Sequence, residues 1–173
     1  MGSLPAFCQS PEHNLYANGL HNFLSFLARL KIMDSIDLEK ILHDTLAQFN
    51  SETGTIHKLH EPTQLLRLVA QVGLPPQLLD MVTIIPVGKG IAGQVVAQGK
   101  PVTLCNLQTD TSGVAKPGAK QTGVGGALCV PIRNGEKIVG TLGIGSKREY
   151  EYTPAETSAL EEMGRRIGED VKW

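Results

Sequence analysis

The chain has 173 residues, the length of one typical domain and enough to bury a core without disulfide or metal support. Its 16 Lys and Arg balance 17 Asp and Glu, and no run of like charge occurs. The sequence therefore lacks the basic patch expected of a protein that binds nucleic acid or a membrane surface. The cysteines Cys8, Cys105 and Cys129 are scattered without CxxC spacing, which argues against a zinc ribbon and predicts free thiols in the cytoplasm.

The N-terminal part is predicted to be helical. Residues 1–12 contain neither the basic and apolar segments of a secretory signal nor a predicted element, and resemble a disordered or tag-like terminus. Residues 13–33 are predicted to form an amphipathic helix, because apolar side chains recur every three or four positions from Leu20 onwards. A second helix follows, with Asp34 as its N-cap and Phe49 as its last apolar position. No segment reaches the roughly 18 apolar residues of a membrane span.

Strands are predicted from residue 55 onwards. Residues 55–61 and 65–72 form a hairpin that turns at Pro62 and Thr63. Alternation within the second strand predicts that four apolar side chains share one face: Leu66, Leu68, Ala70 and Val72. A short helical stretch opens at Pro75, and residues 81–88 are predicted to be extended, because Pro86 restricts the conformation of the residue before it.

The remaining elements continue this mixture. A two-turn helix over 91–98 ends at Gly99, and a third strand spans 102–107. The glycine-rich stretch 108–124 is too long for an ordinary connection and has the length of a functional loop. Residues 126–133 and 137–146 form a second hairpin.

The C-terminal helix carries the clearest start signal in the chain. Thr153 and Glu156 form a capping box, and Pro154 occupies the first helical position. One stripe of the helix is apolar: Leu160, Met163, Ile167 and Val171. The overall pattern of hairpins flanked by helices predicts a largely antiparallel sheet.

Gly88, Gly90 and Gly93 form a literal G-x-G-x-x-G between an extended segment and a helix, with Asp110 about 20 residues on. The helix after it is only eight residues long, and a hairpin follows where a dinucleotide-binding fold would repeat βαβ units. We therefore do not expect dinucleotide binding. The free amides at the start of this helix remain a feature that attracts anions.

Other catalytic and metal-binding patterns are not found. His57 and His60 lie three residues apart on a predicted strand, where they point to opposite faces and share no metal. No G-x-S-x-G and no paired acid constellation for acid–base catalysis appears. Cys105 and Cys129 lie on predicted strands, where a free cysteine is usually a small buried hydrophobe.

Three stretches carry a resemblance to a known family: 85–102 (IPVGKGIAGQVVAQGKPV), 127–146 and 152–171. The chain resembles a GAF domain over roughly residues 34–173. The resemblance implies an α+β fold, an α/β sandwich of the GAF/PAS-like type. A central antiparallel sheet of five or six strands would carry the N- and C-terminal helices on one face and a ligand pocket on the other, roofed by the short helix and loops.

The resemblance also implies a function. Free-standing domains of this kind bind a small molecule and act in signal transduction without catalysis, and we expect the same here, with the ligand and any cofactor unknown. The terminal helices, including residues 13–33, are expected to form a homodimer. The residues expected to bind the ligand are Val87, Gly90, Ile91, Ala92, Gly93, Asp110, Lys116, Ala127, Cys129, Thr141 and Gly143.

One branch of similar proteins is enzymatic, the free methionine-R-sulfoxide reductases. The positions that match its cysteines carry Ala92, Val82 and either Ala115 or Lys116. The positions that match its substrate-binding carboxylates carry Ala127, Gly143 and Gly145. A thiolate mechanism therefore has no nucleophile at these positions, and the resemblance disfavours this activity.

Two further alternatives stay open. A nitrate- or oxyanion-sensing GAF protein would use the amides near Gly90 with Lys116 or Lys120 from the loop. A dimerisation scaffold would have its pocket filled by an apolar lining of Leu128, Val130, Leu142 and Ile144. Haem binding is not expected, because all histidines precede residue 61 and should lie away from the pocket roof.

Overall fold

The computed structural model describes residues 37–109 and 123–173. The helix predicted over 13–33 lies outside the described residues, as do Asp34, Asp110 and Lys116. No helix among the described residues is long and apolar enough to cross a membrane.

Six antiparallel strands form one sheet, in the order β3-β2-β1-β6-β5-β4. The predicted antiparallel sheet of the α+β class is thus confirmed. The strands are β1 (Thr53–His60), β2 (Leu65–Val72), β3 (Ile84–Pro86), β4 (Val102–Leu104), β5 (Gly126–Asn134) and β6 (Lys137–Ser146). The α-helices are α1 (Leu38–Phe49), α2 (Leu79–Thr83), α3 (Gly90–Gln98) and α4 (Pro154–Asp170), with single 3₁₀ turns at Glu61–Thr63 and Pro76–Leu78.

Three predicted boundaries are wrong. The N-cap of α1 is Asp37, whose Oδ1 accepts the Lys40 N–H at 3.0 Å, so the cap lies three residues after the predicted Asp34. Residues 81–83 are helical, and the Thr83 hydroxyl donates to the Leu79 carbonyl one turn back. Strand β4 stops at Leu104, because the Asn106 side chain accepts the next backbone N–H groups and turns the chain.

Helices α1 and α4 pack on one face of the sheet and bury the main core. Leu42 of α1 and Leu160 of α4 are fully buried against Ile56, Leu128 and Leu142 of the strands. Gly164 and Gly168, one turn apart on α4, face the backbone of β5. A Cβ at Gly164 would lie 2.8 Å from the Pro131 carbonyl oxygen, so the glycines let the helix approach the strand closely.

The opposite face of the sheet carries α3 and a second core cluster. This cluster joins Ala92 and Val95 of α3 to Leu66 of β2 and Cys129 of β5. Gly99 ends α3 with φ 64°, as its sequence position predicts. The Arg133 guanidinium donates to the Gly99 carbonyl at 2.8 Å and so ties the end of α3 to β5.

A β-bulge in β2 overturns the prediction that its four apolar residues share one face. Ile56 pairs with Ala70 but His57 pairs with Leu68, so Val69 is the extra residue. Ala70 and Val72 consequently pack on the core under α1 and α4, whereas Leu66 belongs to the cluster under α3. Val69 is left 44% exposed.

The capping box predicted at α4 is confirmed and provides a stability test. The Thr153 hydroxyl accepts the Glu156 N–H at 3.2 Å, and the Glu156 carboxylate accepts the Thr153 N–H at 2.8 Å. Thr153→Ala should lower the free energy of unfolding by about 1 kcal/mol, because one helix N–H loses its acceptor. Chemical denaturation measures this, and Thr153→Ser should stay close to wild type. Equal losses in both variants would contradict the capping role.

Candidate ligand-binding site

A cavity of about 280 Å³ lies between the sheet and the segment that runs from α2 to α3. Its floor is formed by β1, β5 and β6, on the face opposite to α1 and α4. Its roof is formed by α2, β3 and the first turn of α3, with Leu107 and Val124 at one side. The predicted pocket between the sheet and the short helix is therefore present.

The floor is a row of small and polar residues. Thr53, Thr55 and His57 alternate along β1, and strand pairing sets them opposite Gly145, Gly143 and Thr141 of β6. The missing side chains at Gly143 and Gly145, together with the small Ala127, leave room above the sheet. A Cβ at Gly143 would lie 3.2 Å from Thr55 Oγ1 and 3.6 Å from Cys129 Sγ.

The roof is apolar. It presents aliphatic and thioether side chains to the floor: Leu74, Leu78, Met81, Val82, Ile84, Ile85 and Ile91. Met81 and Ile84 are 49% and 46% exposed, although both line the cavity. These two side chains therefore mark its opening to solvent.

The lining carries very little charge. Within residues 37–109 and 123–173, Lys89 is the one Lys, Arg, Asp or Glu that borders the cavity, and it is exposed. No group of three His, Cys, Asp or Glu residues in those ranges is arranged to hold a metal ion. Within those ranges the cavity thus offers apolar contact and a few hydroxyl and imidazole groups, and no lining carboxylate for a cationic ligand.

His57 links the floor to the roof. Its ring is 2% exposed, and its Nε2 lies 2.8 Å from the Val82 carbonyl oxygen of α2. A carbonyl only accepts, so Nε2 carries the proton and Nδ1 of the neutral ring has a lone pair. Burial lowers the pKa of His57, which favours this neutral form. Nδ1 is buried and has no hydrogen-bond partner among the described residues.

The neutral state of His57 predicts how stability changes with pH. Because its folded-state pKa lies below the usual 6.5, the unfolded chain takes up the proton first as the pH falls. The free energy of unfolding should therefore decrease as the pH drops from about 6.5 toward the lowered pKa. Denaturation at several pH values from about 7.5 to about 5 measures this slope. His57→Gln should flatten it and His60→Gln should not; an unchanged slope in His57→Gln would refute the assignment.

Cys129 is a buried thiol on the same floor. Burial raises its pKa to about 12, and neighbouring Thr141 and Val130 offset only part of that effect. A thiol of this kind is protonated at neutral pH and is a poor nucleophile. The Thr141 hydroxyl beside this thiol is itself buried, and its Oγ1 has no hydrogen-bond partner of normal geometry among the described residues.

The start of α3 borders the cavity. Lys89 is the N-cap residue but provides no side-chain cap, and the Gly93 N–H already donates to the Lys89 carbonyl at 3.1 Å. Gly90, Ile91 and Ala92 line the cavity, and their amides precede the first helical hydrogen bond. This arrangement favours a negative or hydrogen-bond-accepting group at the roof.

Comparison with known proteins identifies the fold. The sequence profile of the GAF domain matches residues 33–169. The chain belongs to the GAF domain family. No protein sequence of curated description matches it.

Solved GAF structures resemble the chain in fold but little in sequence. The GAF domain of a phosphoenolpyruvate-protein phosphotransferase from Acinetobacter is 19% identical with a TM-score of 0.64, covering 91% of this chain and 92% of that one. A free methionine-R-sulfoxide reductase from Neisseria meningitidis is 19% identical with a TM-score of 0.63, covering 98% and 95%. A GAF region of a Geobacter sulfurreducens putative membrane protein is 14% identical with a TM-score of 0.68, covering 84% and 97%. GAF domains of other proteins and a free methionine-R-sulfoxide reductase therefore share this fold.

The cavity of this GAF domain collects most of the predicted ligand-binding residues that the structure describes. Six of them line it: Gly90, Ile91, Ala92, Ala127, Cys129 and Gly143. Val87, Gly93 and Thr141 do not line it. Val87 precedes α3, Gly93 faces the Pro86 carbonyl within α3, and Thr141 is fully buried beside His57. Four residues were predicted to line a filled pocket: Leu128, Val130, Leu142 and Ile144. Leu128 and Ile144 do border the cavity, whereas Val130 and Leu142 do not, and all four belong to the core under α1 and α4.

Sequence reasoning missed the polar row of the GAF floor and most of its roof. Thr53, Thr55 and His57 follow the period-two spacing of one strand face, a signal that the sequence does contain. The expectation that the histidines lie away from the pocket is wrong for His57, which spans from floor to roof.

Proposed function

We propose that this GAF domain is a sensory module that binds a small, mainly apolar molecule in the cavity and performs no chemistry on it. The observation that carries the proposal is the cavity itself: about 280 Å³, lined by aliphatic side chains above and a short polar row below. Ligand sites in proteins typically combine an apolar lining with a few convergent polar groups. Such a cavity supports binding of a molecule smaller than a tetrapyrrole or a haem.

The residues at the cavity favour binding without catalysis. Five of the positions that match the sulfoxide reductase cysteines and carboxylates line the cavity and carry no reactive side chain: Val82, Ala92, Ala127, Gly143 and Gly145. The remaining cysteine position, Ala115 or Lys116, lies outside the described residues. Cys129 is a thiol in the cavity lining, and its pKa of about 12 keeps it protonated. At the described positions where the resemblance places the reactive residues of those enzymes, this chain therefore has residues that can only line a ligand site.

Ligand binding would be transmitted through the sheet. Strands β5 and β6 present Ala127, Cys129 and Gly143 to the cavity, while the alternate residues Leu128 and Leu142 pack under α1 and α4. A ligand that fits one arrangement of the floor better than another would shift the population of helix packings on the other face. Hydrogen exchange of α4 with and without ligand tests this coupling, and equal protection would contradict it.

We also propose that the protein acts in the cytoplasm as a homodimer. The apolar stripe of α4 packs on its own sheet, with Leu160 fully buried and Ile167 4% exposed. Dimerisation is therefore assigned to the helix predicted over 13–33, which lies outside the described residues. Sedimentation at high micromolar concentration should give a dimer; a monomer would refute this part of the proposal.

A thermal-shift screen tests the sensor function. The panel includes aromatic acids, amino acids, cyclic nucleotides, tetrapyrroles, and nitrate with other oxyanions. At a concentration of about 100 times Kd, a ligand adds about 2.7 kcal/mol and should raise the midpoint by roughly 5 to 10 °C.

A cavity-filling variant identifies where any such ligand binds. Gly143→Val adds a side chain to the floor at a position whose Cβ meets only side-chain atoms, and should abolish the shift. Lys58→Val places the same residue at an exposed site on β1 outside the cavity and should retain it. If no compound of the panel raises the midpoint, or if the rise is the same in Gly143→Val, binding at this site is contradicted.

The fold similarity to sulfoxide reductases makes one enzymatic alternative testable. Purified protein should not reduce free methionine sulfoxide in the presence of a thiol reductant. Turnover that is lost in Cys129→Ser or Cys105→Ser would replace the sensor proposal with a divergent reductase.

A further inference from the structure

Two buried polar atoms beneath the cavity lack partners, and they lie on paired residues. His57 and Thr141 are opposite each other on β1 and β6. His57 Nδ1 and Thr141 Oγ1 are both buried without a hydrogen bond among the described residues. A buried polar group without a partner is costly, and native structures rarely keep one without a reason. His57 also lines the cavity.

The size of the cavity limits what fits beside these atoms. A dry apolar cavity of roughly 150 Å³ holds one benzene ring. The present cavity, about 280 Å³, therefore has room for a single substituted ring or an aliphatic molecule of similar bulk. The aliphatic roof requires an apolar body, and the lack of a lining carboxylate within the described ranges disfavours a cation.

The chemistry of His57 selects the polar group of the ligand, because Thr141 does not line the cavity. Nδ1 of neutral His57 accepts, because Nε2 donates to the Val82 carbonyl. A neutral hydroxyl of the ligand can donate to Nδ1, whereas a carboxylate only accepts.

We propose that His57 is the polar anchor of this site and that its ligand is a small apolar molecule bearing a hydroxyl group, of the phenol or alcohol class. The hydroxyl donates to His57 Nδ1 while the apolar body fills the space under α2 and α3. This inference rests on the proposed function, because it names the ligand class of the same cavity.

Matched probes test the hydroxyl. We would measure the affinity of the full chain for 4-methylphenol, toluene and 4-methylbenzoate by calorimetry at neutral pH. The phenol should bind at least about tenfold more tightly than toluene, because only the phenol supplies a donor to the buried acceptor. Equal affinities for phenol and toluene, preference for the carboxylate, or no binding of any probe would overturn the inference.

The ¹⁵N resonance of the His57 imidazole tests the same contact in wild-type protein, without a substitution. In wild-type protein with ¹⁵N-labelled histidine, the Nδ1 resonance of His57 should move on addition of 4-methylphenol and not on addition of toluene. His57→Phe keeps a ring of similar shape and should reduce the phenol preference to about the toluene level, whereas His60→Phe, at an exposed residue of the same strand, should preserve it. A phenol preference that persists in folded His57→Phe would exclude the anchor role.

The outcomes separate this inference from the sensor function. If Gly143→Val blocks an oxyanion or carboxylate that leaves the His57 Nδ1 resonance unchanged, the cavity is a sensor site and the hydroxyl assignment is wrong. If no molecule of the panel binds the cavity, both proposals fail together.

Discussion

Gly168→Ala should destabilise the protein by about 2 kcal/mol, even though alanine is the better helix former. Gly168 lies in the last turns of α4, where a Cβ would collide with the backbone carbonyl of Arg133 at the end of β5. Backbone atoms in a sheet cannot move aside as a flexible side chain can. The helix would have to lift from β5, and the contacts of Ile167 with the core would loosen with it.

The matched control is Ser158→Ala on the exposed side of the same helix. This substitution should raise the free energy of unfolding by a few tenths of a kcal/mol through helix propensity alone. Urea denaturation of both variants gives the comparison. If Gly168→Ala gains stability as the control does, close approach of α4 to β5 is not what the glycine provides.

The strands of this fold were predictable where sequence and tertiary structure agree locally. Residues 126–133 and 137–146 carry an apolar pattern on both sides of Asn134 and Gly135, and they form the β5–β6 hairpin. The capping box at Thr153 likewise depends on residues within one turn. Such signals are local, so one sequence is enough to read them.

The bulge in β2 shows where local patterns fail. Leu66 and Ala70 have the spacing of one strand face, yet Val69 is an extra residue and sends them to opposite faces. The bulge depends on pairing with β1 across the sheet, which the spacing of apolar residues within β2 does not encode.

The candidate site was predicted only in part, because some of its contacts are local in sequence and others are not. The glycine-rich start of α3 is a local signal and lies at the cavity, as expected. The partner of His57, the Val82 carbonyl, comes from a five-residue helix 25 positions later in the chain. No local rule connects these two residues, so the anchor emerges only from the folded structure.

Gly93→Ala is the second substitution with a large expected effect, a loss of about 2 kcal/mol. A Cβ at Gly93 would lie 2.5 Å from the Pro86 carbonyl oxygen and 3.1 Å from the Gly88 nitrogen. The Gly88 N–H donates to the Gly93 carbonyl at 2.8 Å, which holds the turn against the helix. Pushing α3 away from β3 would shift two roof elements of the cavity, so ligand affinity should fall together with stability.

Gly90→Ala separates the two roles that glycines play in the G-x-G-x-x-G stretch. Gly90 has φ 61° and nothing within 4 Å of an added Cβ, so its replacement should cost only the left-handed strain, roughly 1 kcal/mol. Gly93→Ala should lower the free energy of unfolding more, because Gly93 allows backbone segments to approach closely. These are turn and packing roles, which a dinucleotide site also needs, and they explain how the stretch occurs in a GAF domain without a βαβ unit. Equal losses by denaturation in the two variants would contradict this division of roles.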